Sequence, residues 1–238
     1  NYKDLINDDV IVHFIAIPTE KEGKPYFEIL KDVLTKISEV ASLSPSHKPL
    51  VIIESTLTPK TSERMIIPLL KKEGINIGNE ILFAVAPRRD WFVEGNKSLK
   101  ELDRVYGSTD DESNLATKEV LEIVCDKLHA ASSYRVSEMV KSIENAYRHM
   151  EITLANQLSL AYPDENMREV LKLVGTKWNI GTYYPGFGSG GYCIPLSSQY
   201  VTEGVMDVNK LTLLRETIKT DNEINIFIAQ SLIKKGFK

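Results

Sequence analysis

Apolar residues gather in three short runs in the first third of the chain: Val10 to Ile17 (VIVHFIAI), Leu50 to Glu54 (LVIIE) and Ile81 to Val85. Each ends in a polar or proline-bearing step, Pro18-Thr19, Ser55-Thr56 and Ala86-Pro87. Runs this short, apolar throughout rather than alternating, read as strands buried on both faces. Between the first two, Tyr26 to Ala41 carries Phe27, Leu30, Val33, Leu34, Ile37 and Val40 at helical spacing. Pro59 to Lys72 predicts a second helix, with Pro59 placed to start it. The βαβαβ alternation predicts a parallel sheet with right-handed crossovers.

After residue 87 the pattern changes. Pro87 to Gly107 is charged and loop-rich. Helical periodicity then dominates: Ser113 to Lys127, a long helix capped by Ser137 and running to about Ala161, Asp164 to Val174, and Leu211 to Lys234. The long helix has an apolar stripe of Met139, Ile143, Met150, Leu154 and Leu158. The chain is thus divided into residues 1–110, built on the sheet, and residues 111–238, mainly helical.

Composition narrows the function classes. A net charge of −4 without a basic face leaves no nucleic-acid footprint. No apolar run approaches the ~20 residues that span a bilayer, and no signal peptide is visible, so no membrane role and a cytoplasmic setting are expected. Two cysteines, Cys125 and Cys193, make no disulfide framework. No metal-ligand spacing is present. Cys125, inside a predicted helix, is expected to pack.

Cys193 is different. It follows Pro185-Gly186-Phe187-Gly188-Ser189-Gly190-Gly191-Tyr192 and precedes Ile194-Pro195. Glycines at this density serve sharp turns or close approach to a ligand. Pro195 suits the first turn of a helix over Leu196 to Val205, which puts Cys193 near a helix N-terminus, where the dipole favours thiolate. The pattern points to covalent chemistry on a small bound molecule; the plain alternative is a buried, inert thiol. The literal G-x-G-x-x-G at Gly186, Gly188 and Gly191 is not read as a dinucleotide turn, because only a weak strand candidate, Trp178 to Tyr184, precedes it and no βα alternation follows.

The stretch G-x-G-x-G-G-x-C-I-P resembles the cysteine signature of the UDP-glucose/GDP-mannose dehydrogenase family, the nucleotide-sugar 6-dehydrogenases. Ile17-Pro18-Thr19 is similar to that family's V-P-T-P, with Glu20 in place of the second proline, and Glu54-Ser55-Thr56-Leu57-Thr58-Pro59 to its E-S-T-V-x-P. Glu138-x-x-Lys141-x-x-x-Asn145-Ala146-Tyr147 is similar to its E-x-x-K-x-x-x-N-[AT]-[FY]. The resemblance implies a partial Rossmann-like NAD-binding domain followed by a helical central and dimerisation domain, hence a homodimer through the long helix. It implies Thr19, Ser55 and Thr56 on the NAD side, and a nucleotide sugar as substrate. Cys193 is implied as nucleophile, with Lys141 and Asn145 beside it, and Glu94, Tyr184 and Gly190 at the substrate.

The resemblance has gaps. Arg88 follows Pro87 where the family has its catalytic glutamate; a gapless count back from Glu94-Gly95 puts Asp90 in that place. The alternative is that Asp90 pairs with Arg88 or Arg89. Asn179 stands where many members carry an arginine, and Ser197 where the family has an aspartate four residues after the cysteine. The family's glycine-rich first turn is not found ahead of the first strand, so the 238-residue chain alone is expected to bind NAD weakly. Two readings follow: an NAD-dependent dehydrogenase of UDP-sugars, present as its core portion, or a non-catalytic relative serving as binder or dimerisation scaffold.

Overall fold

The computed structural model describes residues 2, 11–43, 48–89, 98 and 100–236. It divides into two compact units, Asn1–Ser142 and Ile143–Lys238.

The first unit is built on a five-stranded sheet. Its elements are β1 (Val12–Ile15), the hairpin β2 (Glu20–Lys21) and β3 (Lys24–Pro25), α1 (Glu28–Leu43), β4 (Leu50–Ile53), α2 (Ile67–Lys72), β5 (Leu82–Val85), β6 (Arg104–Ser108), α3 (Asp111–Glu122) and β7 (Leu128–Ala130). Strand order is β1-β4-β5-β6-β7, and the hairpin stands apart. β1, β4 and β5 are parallel and in register, Val12 opposite Leu50 and Leu50 opposite Leu82, as the apolar runs predict.

Every residue of β4 and β5 is buried, so the two faces divide by alternation. Val51, Ile53, Phe83 and Val85 pack with Leu30 and Leu34 of α1 and Leu70 of α2. Leu50, Ile52 and Leu82 pack on the other face with Tyr106 and Leu121. Each such aliphatic side chain contributes about 1.5–3 kcal/mol by leaving water. α3 starts where Asp110 accepts the Ser113 N–H at 2.8 Å, a side-chain cap.

Four sequence expectations need correction here. β1 is not buried on both faces: it is the edge strand of the sheet, half-buried, with Phe14 exposed. The sheet does not end at β5: β6 joins it antiparallel, pairing Ala84 with Ser108, and β7 adds parallel to β6. Both strands are short and lie in or beside charged stretches, which hid them. The second helix does not start at Pro59; Lys60 adopts φ 75°, and a π-helical turn, Ser62–Ile66, leads into α2. The helix predicted to Lys127 stops at Glu122, where Ile123 and Val124 turn the chain through bonds to the Val120 and Leu121 carbonyls, and β7 begins at Leu128.

α4 (Tyr134–Ala161) begins in the first unit and ends in the second. Ser137 does not cap it. It lies inside the helix, and its hydroxyl donates to the Val85 carbonyl at 2.7 Å, tying α4 to the end of β5.

The second unit holds the rest of α4, α5 (Met167–Val174), α6 (Cys193–Gly204) and α7 (Thr212–Lys234). Asn166 caps α5 by accepting the Glu169 N–H. Within this unit the buried face of α4 is not the predicted apolar stripe. Asn145, His149, Thr153 and Asn156 are buried, whereas Leu154 is more than half exposed. The spacing of these four residues places them along one side of the helix, a polar seam where a core face was expected.

Candidate active site

In the first unit, three parallel strands end together at Ile15, Ile53 and Val85. Ligands of open parallel sheets lie beyond such carboxyl ends. Thr19, Ser55 and Thr56 gather there. Ser55 is largely committed to the fold: its hydroxyl accepts the Ile17 N–H and donates toward the Ile17 carbonyl, both at 2.8 Å. It thus stitches the segment after β1 to the segment after β4. The Thr19 hydroxyl donates to the Thr56 carbonyl at 2.6 Å. Thr58, two residues on, has a buried hydroxyl oxygen with no partner among the described residues. A polar edge of small side chains with one unused hydroxyl fits the polar flank of a dinucleotide.

Two residues around this edge escaped the sequence reading. Arg104, first residue of β6, forms a nearly buried ion pair with Glu54, the residue after β4, and reaches the Ala86 carbonyl at 3.4 Å. Removing one partner of such a pair leaves the other charge uncompensated, at a cost of about 3–5 kcal/mol. Ser62 is the second. Its N–H, at 2.8 Å, and its hydroxyl both donate to Glu138 on α4. The N–H groups of Lys60 and Thr61 point at the same carboxylate. Burial pushes the Glu138 carboxyl up from its ordinary value, against these donors, which favour the charged form. Glu138 therefore caps the π-helical turn and fixes the start of α4. The motif held Glu138; its partner was not legible, because 76 residues separate the two.

In the second unit the cysteine loop has no strand before it, in accord with rejecting its G-x-G-x-x-G as a dinucleotide turn. Cys193 is the first residue of α6, with Pro195 in the first turn, and the thiol is exposed rather than buried. Cys125 is buried in the first unit, its Sγ 2.9 Å from the Leu102 carbonyl. Asn145 is buried, and its Nδ2 donates to the Ser197 hydroxyl at 2.9 Å. Ser197 lies one turn beyond Cys193 on α6, so this bond holds the thiol-bearing helix to α4. The Asn145 Oδ1 has no partner among the described residues. Lys141 stands one turn before Asn145 on α4 and is half-buried. Tyr184 is exposed, with the Arg168 guanidinium 4.7 Å from the ring centroid. Gly190 has φ 59°, and an added Cβ there would meet open space. Asp90 and Glu94 lie outside the described residues. Among the described residues no group of three metal-ligating side chains occurs.

His149, Asp221, Ser189 and Ser198 form a second cluster that sequence reasoning missed. The His149 Nδ1 lies 2.8 Å from the Ser198 hydroxyl and Nε2 lies 3.2 Å from Asp221 Oδ2, at an angle oblique for a full hydrogen bond. The carboxylate beside Nε2 assigns the proton to that nitrogen, and Ser198 then donates to Nδ1. The order serine–imidazole–carboxylate is that of a hydrolase triad, but His149 and Ser198 are both closed to solvent, so the seryl oxygen has no path to a substrate.

Burial pushes the His149 imidazole below its ordinary value of 6.5, although Asp221 pulls it upward. The unfolded chain then takes up a proton that the folded one refuses. The stability from this group is complete above about pH 6.5 and is lost as pH falls below it. Denaturation midpoints measured at pH 7.5 and 5.5 are expected to fall more for the parent than for His149→Gln. Glu138 has the opposite sense, and comparing parent with variant cancels it. Equal losses in the two would remove His149 from the account.

A parallel-sheet unit with a polar carboxyl edge is thus followed in the chain by a helical unit with a thiol at the head of a helix, the architecture of an open-sheet nucleotide-binding protein. Residues 2–125 match the NAD binding domain of the UDP-glucose/GDP-mannose dehydrogenase family, and residues 135–225 match its central domain. The chain belongs to this family, whose cofactor is NAD.

Protein CapL of Staphylococcus aureus is 32% identical over 255 residues, covering 100% of this chain and 56% of the relative. UDP-N-acetyl-D-glucosamine 6-dehydrogenase of Pseudomonas aeruginosa is 29% identical over 87% of the chain and 49% of its own length. The solved structure of UDP-D-ManNAc dehydrogenase from Pyrococcus horikoshii superposes with a TM-score of 0.84 at 24% identity, over 100% of this chain and 57% of that one. The chain thus spans about half the length of the curated relatives it matches. Among the described residues no helix is long and apolar enough to cross a membrane.

Proposed function

We propose that this chain is the cofactor and nucleophile portion of an NAD-dependent 6-dehydrogenase acting on a UDP-hexose or UDP-N-acetylhexosamine. The observation that carries the reading is the exposed Cys193 at the head of α6, one turn from a serine bonded to Asn145. The names of curated relatives, UDP-N-acetyl-D-glucosamine 6-dehydrogenase and UDP-N-acetyl-D-mannosamine dehydrogenase, support the substrate class.

Thr19, Thr56 and Thr58 line the cofactor side in this reading. NAD, when bound, accepts one hydride in each of two oxidations. The C6 alcohol first becomes an aldehyde. The Cys193 thiolate then adds to the aldehyde carbon, and the oxygen takes a proton, giving a thiohemiacetal that still carries a transferable hydride. Loss of that hydride, with the hydroxyl proton passing to the base, leaves a thioester. Water cleaves the C–S bond, releases the uronic acid and returns the thiol. Lys141 is the proposed donor for the oxyanion, Asn145 holds the thiol-bearing helix through Ser197, and Asp90 is the proposed base. Glu94, Tyr184 and Gly190 are assigned to the sugar nucleotide.

A second copy of the chain is the proposed partner. α4 and α7 leave Leu154, Ile226 and Phe227 exposed within the second unit, a surface suited to homodimer packing.

One observation favours the non-catalytic reading. Ser197, at the family's aspartate position, is buried, uncharged and already bonded to Asn145. The test is NADH release by the full-length protein with UDP-glucose, UDP-N-acetylglucosamine and UDP-N-acetylmannosamine in turn. One of the three is expected to yield two NADH per sugar consumed. No NADH from any, with NAD binding intact by calorimetry, would establish the scaffold reading instead.

A further inference from the structure

Four segments of the helical unit converge on one imidazole and one carboxylate, His149 on α4 and Asp221 on α7. Asp221 accepts two hydrogen bonds from Ser189 in the cysteine loop, from its N–H at 2.8 Å and from its hydroxyl at 2.6 Å. The same carboxylate faces His149 Nε2 at 3.2 Å, and the far side of the ring meets Ser198 of α6 at 2.8 Å. Ser189 lies four residues before Cys193 and Ser198 five residues after it. The thiol is therefore bracketed by two tethers that end on the same pair.

The loop needs such tethers. Its first part is fastened: the Gly186 N–H donates to Asn156 at 2.7 Å. Gly188, at φ 97°, lies so close to α7 that an added Cβ would sit 3.0 Å from Ile224 and 3.2 Å from Asp221 Oδ1. The next glycines are not fastened by packing. Gly190 and Gly191, at φ 59° and 66°, have nothing within 4 Å of an added Cβ. A two-glycine joint, separated from Cys193 by Tyr192 alone, leaves the direction of the segment to whatever holds the chain on either side. Asp221 suits that task, because an ionised acceptor gives two short, directional bonds to one residue. A nearly buried carboxylate must itself be compensated. The neutral His149 imidazole sets its Nε2 side 3.2 Å from Asp221, obliquely, and brings no second buried charge.

We infer that His149 and Asp221 are positioning residues for Cys193, acting through Ser189 and Ser198 and not on the substrate. The catalytic consequence rests on the reading of Cys193 as nucleophile; the positioning itself does not.

The experiment uses the 238-residue chain with Asp221→Asn, His149→Leu and His149→Gln. It measures amide hydrogen exchange by mass spectrometry over residues 186–192 and over β4 and β5, and the rate at which iodoacetamide alkylates Cys193. Asp221→Asn is expected to raise exchange in the loop about tenfold or more, with β4 and β5 unchanged, because opening there is local. The alkylation rate should change by about threefold or more in the same variant. His149→Leu should reproduce both effects. His149→Gln should return the loop to within about threefold of the parent, since its amide still presents a neutral donor to Asp221.

Loop exchange within about twofold of the parent in Asp221→Asn would overturn the inference. So would an equal rise in β4 and β5, which marks general loosening, or a glutamine variant no better than the leucine one. If His149→Leu does not fold, Asp221→Asn and His149→Gln decide. In the full-length enzyme, Asp221→Asn should lower kcat with KM for the sugar nucleotide unchanged. A failure of the dehydrogenase reading would leave the exchange result standing, so the two tests fail separately.

Discussion

Full-length protein carrying Cys193→Ala is expected to form no uronic acid, with a loss of about 10³-fold or more, on the order of 4 kcal/mol in the barrier. The second oxidation needs a carbon that is tetrahedral and bears both an oxygen and a hydride. Only addition of a nucleophile to the aldehyde makes that carbon, and alanine offers none. The first oxidation needs no thiol, so NADH per sugar should fall from two toward one rather than to zero. Cys193→Ser should behave in the same way, because a serine hydroxyl is a far weaker nucleophile than a thiolate at neutral pH. Cys125 cannot substitute: it is buried in the first unit, with its Sγ 2.9 Å from the Leu102 carbonyl. The measurement is NADH by absorbance together with the acid by chromatography. Acid formation at the parent rate would remove Cys193 from the mechanism and with it the central claim of the proposed function.

Gly107→Ala is expected to destabilise the first unit by about 3 kcal/mol, a large value for the addition of one methyl group. Gly107 lies in β6, opposite Val85. A Cβ there would sit 2.3 Å from the Ser133 carbonyl oxygen and 2.6 Å from its carbon. Both are backbone atoms, at the step into α4, so no side chain can swing away. Relief requires moving either β6 or the start of α4, which Ser137 pins to Val85. For a unit of this size the loss corresponds to a fall of roughly 6–12 °C in the unfolding midpoint. Gly190→Ala is the control: its Cβ meets open space, although its φ of 59° adds some backbone strain. A Gly107→Ala midpoint within about 2 °C of the parent would mean that the close approach relaxes at little cost.

The sequence made the sheet legible where burial on both faces leaves an unbroken apolar run. β4 and β5 are such strands; β1 is equally apolar in sequence but is the half-buried edge strand, and the parallel order of the three follows from the helix-length segments between them. β6 and β7 were not legible. They lie at one side of the sheet, carry Arg104 and His129, and last only five and three residues. The long helix was visible by periodicity, but its buried face was misjudged. Apolar spacing pointed to Met139 and Leu154, whereas the second unit buries Asn145, His149, Thr153 and Asn156. Asn145, His149 and Asn156 find partners in Ser197, Ser198 and Gly186, which offset their desolvation, and periodicity holds no record of partners.

The site divides in the same way. The sequence by itself determined the chemical groups: a thiol behind a glycine-dense loop, a lysine and an asparagine one helical turn apart, and hydroxyls at strand ends. Each follows from local rules, since glycine density, helical spacing and strand termini are set within a few residues. Only the tertiary structure decided how those groups are held. Ser55 stitches two strands across 38 residues, Glu138 caps a turn 76 residues away, and Asp221 fastens a loop 32 residues upstream. The physical reason is that a hydrogen bond or an ion pair is selected by proximity in space. Two residues far apart along the chain become neighbours only after the apolar segments have packed and fixed where each polar atom must point.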